Sequence, residues 1–365
     1  MHVGMSVIFQ NPGHTRPDFD IYQEDIALAD MAEGLGFESV WSVEHHFTDY
    51  TMCPDPLQFL TYMAGRTEKA KLGTMVVVLP WRDPVRTAEQ ISMLDNISNG
   101  RLILGLGRGA GRVEFDGFRT DMAESRPRFV ESAQLVLNAL ENGYAEFDGD
   151  HYHQPRVDIR PEPLQSFRGR TFAAAVSPES ARIMAELGIG LLVIPQKPWE
   201  HVEKEFAEYK ALYLEVNKEP APKPVFAAWT IVDEDENRAY ELAREYIGGY
   251  WQTVLNHYQF HTDHLKGQKG YEYYGKFADN LQKDADAAIE FFMNLQVYGT
   301  PEQCVEKITR IGNRLGSDTF VGVFSYAGMP HEIAKANMEL FADRVMPALK
   351  ALPAAEERLP AVAAE

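Results

Sequence analysis

The feature that most limits the fold is a regular alternation of short apolar runs with longer amphipathic segments. "VGMSVIF" (3–9), "ESVWSV" (38–43), "KLGTMVVVLP" (71–80) and "RLILGLG" (101–107) read as strands. So do "TFAAAV" (171–176), "LLVIP" (191–195), "VFAAWTIV" (225–232) and "TFVGVFSY" (319–326). Each is nearly continuous in apolar residues, as a parallel sheet buried on both faces requires. Helical patterns follow: Ile21, Leu28, Met31, Ala32 and Leu35 recur at helical spacing before Gly36, and helices are expected at 56–68, 84–98 and 124–142. Eight strand-then-helix units in one α/β chain close most economically into a (β/α)8 TIM barrel; a doubly wound open sheet is the alternative.

The junctions agree with this. Asp55-Pro56, Asp83-Pro84, Ser177-Pro178 and Thr300-Pro301 each place a capping side chain before a proline. The side-chain oxygen accepts from an orphan N–H, and proline has no N–H to leave unsatisfied. Thr300 and Gln303 have capping-box spacing. Two stretches break the rhythm. "AEFDGDHYHQP" (145–155) turns at Gly149 and reads as a small hairpin. Residues 258–285 have no core periodicity, and so long a loop in a compact domain is expected to be a mobile lid inserted before the last helices and strand. A single domain over 1–351 and a disordered tail over 352–365 complete the expected organisation.

The net charge of −19, from 35 Lys+Arg against 54 Asp+Glu, argues against nucleic acid or an anionic membrane as partner. Two cysteines, Cys53 and Cys304, supply neither a disulfide framework nor a thiolate metal cluster. With no signal-peptide pattern at the N-terminus and no apolar run of spanning length, a cytoplasmic enzyme is expected.

In a barrel the C-terminal strand ends carry the chemistry. Glu44-His45-His46 follows the second strand, "GLGRGAGR" (105–112) leaves the fourth, and "VSPES" (176–180) leaves the fifth. Adjacent histidines on a strand point to opposite faces and fit a metal poorly, so no metal site is expected. One of the two suits a packed turn; together at a strand end they favour proton handling. His151 and His153 lie on the excursion and are expected in solvent. Glycines around Arg108 let a ligand approach the backbone, and Ser177 and Ser180 decorate a helix start whose N–H groups favour an anion. A phosphate-bearing cofactor is the leading inference.

The chain also resembles the bacterial luciferase family of flavin-dependent monooxygenases, its α subunit above all, nearly end to end. "VWSVEHHFTDY", "MLDNISNGR", "GRGAGRVEFDGFRTDMAESR", "GTPEQC" and "FADRVMPALK" occur in the family's order. The resemblance implies reduced FMN and O2 as co-reactants, a separate flavin reductase, oxygenation through a flavin 4a-hydroperoxide (hydroxylation or Baeyer–Villiger type), and a homodimer. It places the catalytic role on His45, with Glu44 and His46 beside it, and the phosphate contacts on Arg108, Ser177 and Ser180. Gly107 and Ala110 fall next to the flavin, and Met75–Val76 on a non-proline cis peptide. Val176 stands where the family has a glutamate. Gly107, Pro195 and Gly111 replace a cysteine, a tryptophan and a tyrosine, changes expected to enlarge or reshape the pocket for a bulkier substrate. A deazaflavin-dependent oxidoreductase, a non-catalytic subunit and a metal-dependent barrel hydrolase are the rival readings.

Overall fold

The computed structural model describes residues 1–174, 178–259 and 285–355. Eight parallel strands close on themselves: β1 (His2–Val7), β2 (Ser39–Ser42), β3 (Lys71–Thr74), β4 (Leu102–Gly107), β5 (Thr171–Ala174), β6 (Gly190–Val193), β7 (Val225–Val232) and β8 (Thr319–Val323). Each pairs with the next in sequence, and β8 returns to β1 with His2 opposite Thr319 and Ser6 opposite Val323. This is the (β/α)8 barrel anticipated from the alternation.

The inside of the barrel is packed. Trp41, fully buried on β2, fills the floor with Met75, Phe172, Leu192, Val225, Ala227 and Val321. Room for that indole comes from glycine: a Cβ on Gly73 would lie 2.1 Å from the Trp41 ring, and one on Gly4 2.8 Å from its Nε1. Trp41 Nε1–H donates to Ser39 Oγ at 2.8 Å, so the buried donor is satisfied.

Around the sheet run α1 (Asp18–Leu35), α2 (Pro56–Ala64), α3 (Pro84–Ile97), α4 (Ser125–Asn142), α5 (Pro178–Glu186), α6 (Trp199–Asn217), α7 (Pro301–Leu315) and α8 (His331–Leu340). The expected caps form: Asp55 accepts from Gln58 N–H, Asp83 from Arg86 N–H, and Thr300 with Gln303 makes a capping box. α1 ends where Gly36 takes φ 96°, a left-handed conformation that favours glycine. Helix α2 stops at Ala64, short of the expected 68, because Arg101 donates to the carbonyls of Ala64 and Ala70 and ties that end to the sheet.

Three differences bear on the site. The expected strand 71–80 ends at Thr74; after a cis Met75–Val76 peptide, Val77–Val78 pairs beside β4, and a 3-10 turn follows over Leu79–Trp81. The glycine-rich turn after β4 runs into a short helix, Arg112–Phe118, which its sequence does not announce. A short strand, Val297–Gly299, extends the sheet beside the end of β7. The excursion is a hairpin of Tyr144–Asp148 with His153–Asp158, where the exposed His153 bonds Asp148. Past Leu352, Ala355 is buried and Leu352 packs on the core, so the packed chain runs beyond the expected boundary of the tail. Of the lid, only Tyr258, Gln259 and Ala285 fall within the described residues, as does Ser180 but not Val176 or Ser177.

Candidate active site

The end of β2 sends its two histidines to different places. His45 turns toward the barrel mouth, where its Nδ1 lies 2.9 Å from Glu114 Oε1. The same oxygen accepts from His46 N–H at 3.0 Å. The carboxylate acceptor therefore makes Nδ1 a protonated ring nitrogen, which leaves Nε2 as the nitrogen able to exchange a proton. His46 turns back into the aromatic packing of Trp81 and Phe118, its Nε2 3.1 Å from Glu44 Oε1.

Glu44 is wholly buried and fully engaged. Besides His46 it accepts from Val78 N–H at 3.0 Å, from Trp81 Nε1–H at 2.9 Å and from the Arg82 guanidinium at 3.0–3.2 Å. Burial works against the Arg82 charge, but Glu44 and Asp55 outweigh it and hold the guanidinium protonated more firmly than usual. This knot ties the end of β2 to the segment after Met75–Val76. Glu44 thus orients His46 and the backbone, while the partner that orients His45 is Glu114.

Glu114 comes from the short helix after β4, and a second histidine approaches it from the far side of the barrel. His257 ends the helix Gly248–His257; its Nδ1 lies 3.1 Å from Thr48 Oγ1 and its Nε2 3.8 Å from Glu114. Its ring stacks on Tyr50 at 4.4 Å and meets His45 edge-on at 5.0 Å. Burial alone would raise the Glu114 carboxyl, but the charge and hydrogen bonds of His45 and His257 hold it below the ordinary carboxylate range. Burial pushes His257 down, against the pull of Glu114. The ligand atoms of His45, Glu114 and His257 all lie within 4.8 Å of one another.

Neither Glu114 nor His257 stood out in the sequence. Glu114 follows a glycine-rich turn in a seven-residue helix, and nothing local shows that it is buried. His257 did leave a trace: Tyr250, Trp251, Val254 and His257 share one helical face, and all are buried.

Two cavities meet at His45. The first is lined by Met75, Val76, Gly107, Arg108 and Ala110, every described residue expected near a cofactor except Ser180. Ser180 is half-buried on α5, outside this lining. The second lies over β6–β8 and is walled by aromatic rings, with Pro195 on its rim.

The glycines correct one expectation. A Cβ on Gly107 would lie 2.1 Å from Val76 Cγ2, so the valine already occupies the space that a larger residue at 107 would take. Likewise a Cβ on Gly111 would lie 2.6 Å from Glu114 Oε2 and 2.8 Å from His257 Nε2. Neither exchange opens the pocket. The first is balanced by a larger neighbour, and the second admits His257 to Glu114.

A family model for luciferase-like monooxygenases matches residues 1–319. The chain belongs to that family. Among curated relatives of this luciferase-like monooxygenase, the alkanal monooxygenase alpha chain of Photorhabdus laumondii is 28% identical, across 91% of this chain and 93% of that one. The oxygenase component of a flavin-dependent trigonelline monooxygenase from Acinetobacter baylyi is 26% identical, across 90% of both chains. The crystal structure of the monooxygenase RslO1 from Streptomyces bottropensis superposes with a TM-score of 0.80 at 25% identity, over 95% of this chain and 99% of that one.

Proposed function

We propose that the chain is the oxygenase component of a two-component monooxygenase, taking reduced FMN from a separate flavin reductase and O2 from solution to oxygenate a small organic molecule. The observation that carries this reading is His45, fixed by Glu114 at the wall shared by two cavities of unlike lining. The first cavity suits FMN: Met75, Val76 and Leu192 make an apolar bed for a flat ring, and Arg108 with the glycine-rich turn suits the phosphate. Its two carboxylates, Glu44 and Glu114, are both hydrogen-bonded within the protein. Bound reduced flavin supplies the electrons that activate O2.

The chain's own residues do the rest. Glu114 holds the His45 ring in one tautomer, so that Nε2 takes a proton from, or returns it to, the reacting atoms between the cavities. Apolar walls at Ile194, Val43 and Val254 keep water from that point. Met75, Val76, Gly107, Arg108 and Ala110, with Ser177, Ser180 and the backbone at Val176, are proposed as the cofactor contacts, and Glu44 and His46 as the setting of His45. The relative described as an oxygenase component supports a separate reductase. Exposed Tyr62, Met93 and Ile97 on α2 and α3 support a homodimer.

The test is aerobic turnover with chemically reduced FMN and no reductase: oxygen incorporated into product supports the reading. Hydride transfer from a reduced deazaflavin, with none from reduced FMN, would move the chain to the rival oxidoreductase class. The His45–Glu114–His257 cluster also gives the metal-hydrolase reading one specific observation. Equimolar metal in purified protein, needed for activity, is the result that favours it.

A further inference from the structure

On the reading of His45 as the group that moves the proton, its aim depends on how firmly the Glu114 carboxylate is held. Two hydrogen bonds of ordinary length reach Glu114 Oε1 from the end of β2, His45 Nδ1–H at 2.9 Å and His46 N–H at 3.0 Å. His257 approaches the same oxygen from another element, its Nε2 at 3.8 Å. The His257 side chain is 1% exposed, and Nε2 has no hydrogen-bond partner among the described residues. Buried polar atoms are rarely left so, and the carboxylate is the acceptor in reach. Hydrogen bonds around a reacting group are often long in a ligand-free site and tighten when it fills.

The surroundings aim the ring. Its Nδ1 lies 3.1 Å from Thr48 Oγ1. With a carboxylate on the Nε2 side, the favoured arrangement has the threonine hydroxyl donating to Nδ1 and the proton on Nε2. The reverse tautomer would turn a lone pair on the carboxylate, and a charged ring would carry a proton on Nε2 as well. Tyr50 stacks on one face at 4.4 Å and Tyr258 meets the ring edge-on at 4.8 Å, which fixes its tilt. Gly111 completes the fit. A Cβ there would lie 2.6 Å from Glu114 Oε2 and 2.8 Å from His257 Nε2, so a side chain at 111 would force the two apart. Thr48, Gly111 and His257 are distant in the chain and converge on one contact.

We infer that His257 is a positioning residue: its Nε2–H, aimed by Thr48 and admitted by Gly111, closes on Glu114 and holds the carboxylate against His45 Nδ1. A carboxylate gripped from two elements has less freedom to rotate than one gripped from a single strand end, and His45 keeps its Nε2 for the reacting atoms.

The ring could act as a donor or as a packing piece, and the two roles respond oppositely to substitution. His257→Phe keeps a ring against Tyr50 and removes the donor; His257→Gln keeps an N–H near the place of Nε2 and removes the ring. The full chain, with isotopically labelled histidine ring nitrogens, is read by NMR, and the His45→Gln and His257→Phe spectra assign the two rings. In the wild type His45 Nδ1 and His257 Nε2 are expected to carry protons. In His257→Phe the His45 Nδ1 proton should exchange with solvent at least about tenfold faster, and His257→Gln should restore the slower exchange. A wild-type His257 with a bare Nε2 would overturn the proposal. So would an unchanged rate in His257→Phe, or a rate in His257→Gln as fast as in His257→Phe or faster. The wild-type tautomer decides the matter where a variant fails to fold. These readouts need neither flavin nor turnover. Absence of oxygenation with reduced FMN, while the His45 proton behaves as expected, would therefore strike the FMN reading and leave this assignment standing.

Discussion

The two sides of the barrel mouth are built on opposite principles. On the β2–β4 side nearly every polar group has a partner: Glu44 is satisfied by Val78, Trp81, Arg82 and His46, and Glu114 by His45 and the backbone of His46. On the β6–β8 side the described lining is largely aromatic and carries no Lys, Arg, Asp or Glu. A saturated network is stiff and holds one geometry, whereas an uncharged aromatic wall leaves ligand choice mainly to shape. The first side suits chemistry that must be placed to within a fraction of an ångström, the second suits recognition. His45 belongs to both.

The contrast can be broken at several points. His45→Gln removes the proton-handling nitrogen at the junction; turnover should fall by about 10²–10⁴-fold with FMN affinity nearly unchanged, as read by product formation against fluorescence titration. A loss confined to FMN affinity would remove His45 from the chemistry. Glu44→Ala should instead act on the fold, since it leaves the buried Arg82 charge without its main partner. A destabilisation of about 3–5 kcal/mol in urea unfolding is expected, and a change within experimental error would show that the knot is dispensable.

Glu114→Gln keeps the shape and removes the charge. Turnover should drop by about 10–100-fold, as for loss of a group that orients a histidine. Its pH behaviour tests the same point. Glu114 titrates below its ordinary value in the fold, so the stability it brings is present above the unfolded carboxylate range and is lost as the pH falls. Burial depresses His257, so acidification through the ordinary histidine range also costs stability. The wild type should therefore lose melting temperature on acidification, and Glu114→Gln should flatten that slope.

Gly111→Ala sets a methyl against Glu114 and His257; about 1–3 kcal/mol of stability should be lost, with reduced turnover, because the relay must spread. The smallest effect belongs to the recognition side. Tyr50→Phe removes one member of the Tyr50–Tyr250 hydroxyl pair at about 1 kcal/mol of stability, and FMN affinity should not move. A change in FMN affinity there would mean that the two cavities are less separate than their linings suggest.

Periodicity and capping chemistry are local properties, and the sequence by itself determined what depends on them. The eight strands, the caps at Asp55, Asp83 and Thr300, and the arrival of His45 and Arg108 at one rim all follow from spacing along the chain. The pairing of polar groups was decided only in three dimensions. His45 and His46 are neighbours in sequence, yet one faces a cavity and the other an aromatic cluster, because their carboxylates come from different elements. Glu114 lies 69 residues beyond His45, and the Thr48–His257 bond spans 209. Gly107 and Gly111 looked like added space until Val76, Glu114 and His257 were seen to fill it. A sequence pattern records which face of its own element a side chain takes; what meets that face depends on how distant elements pack.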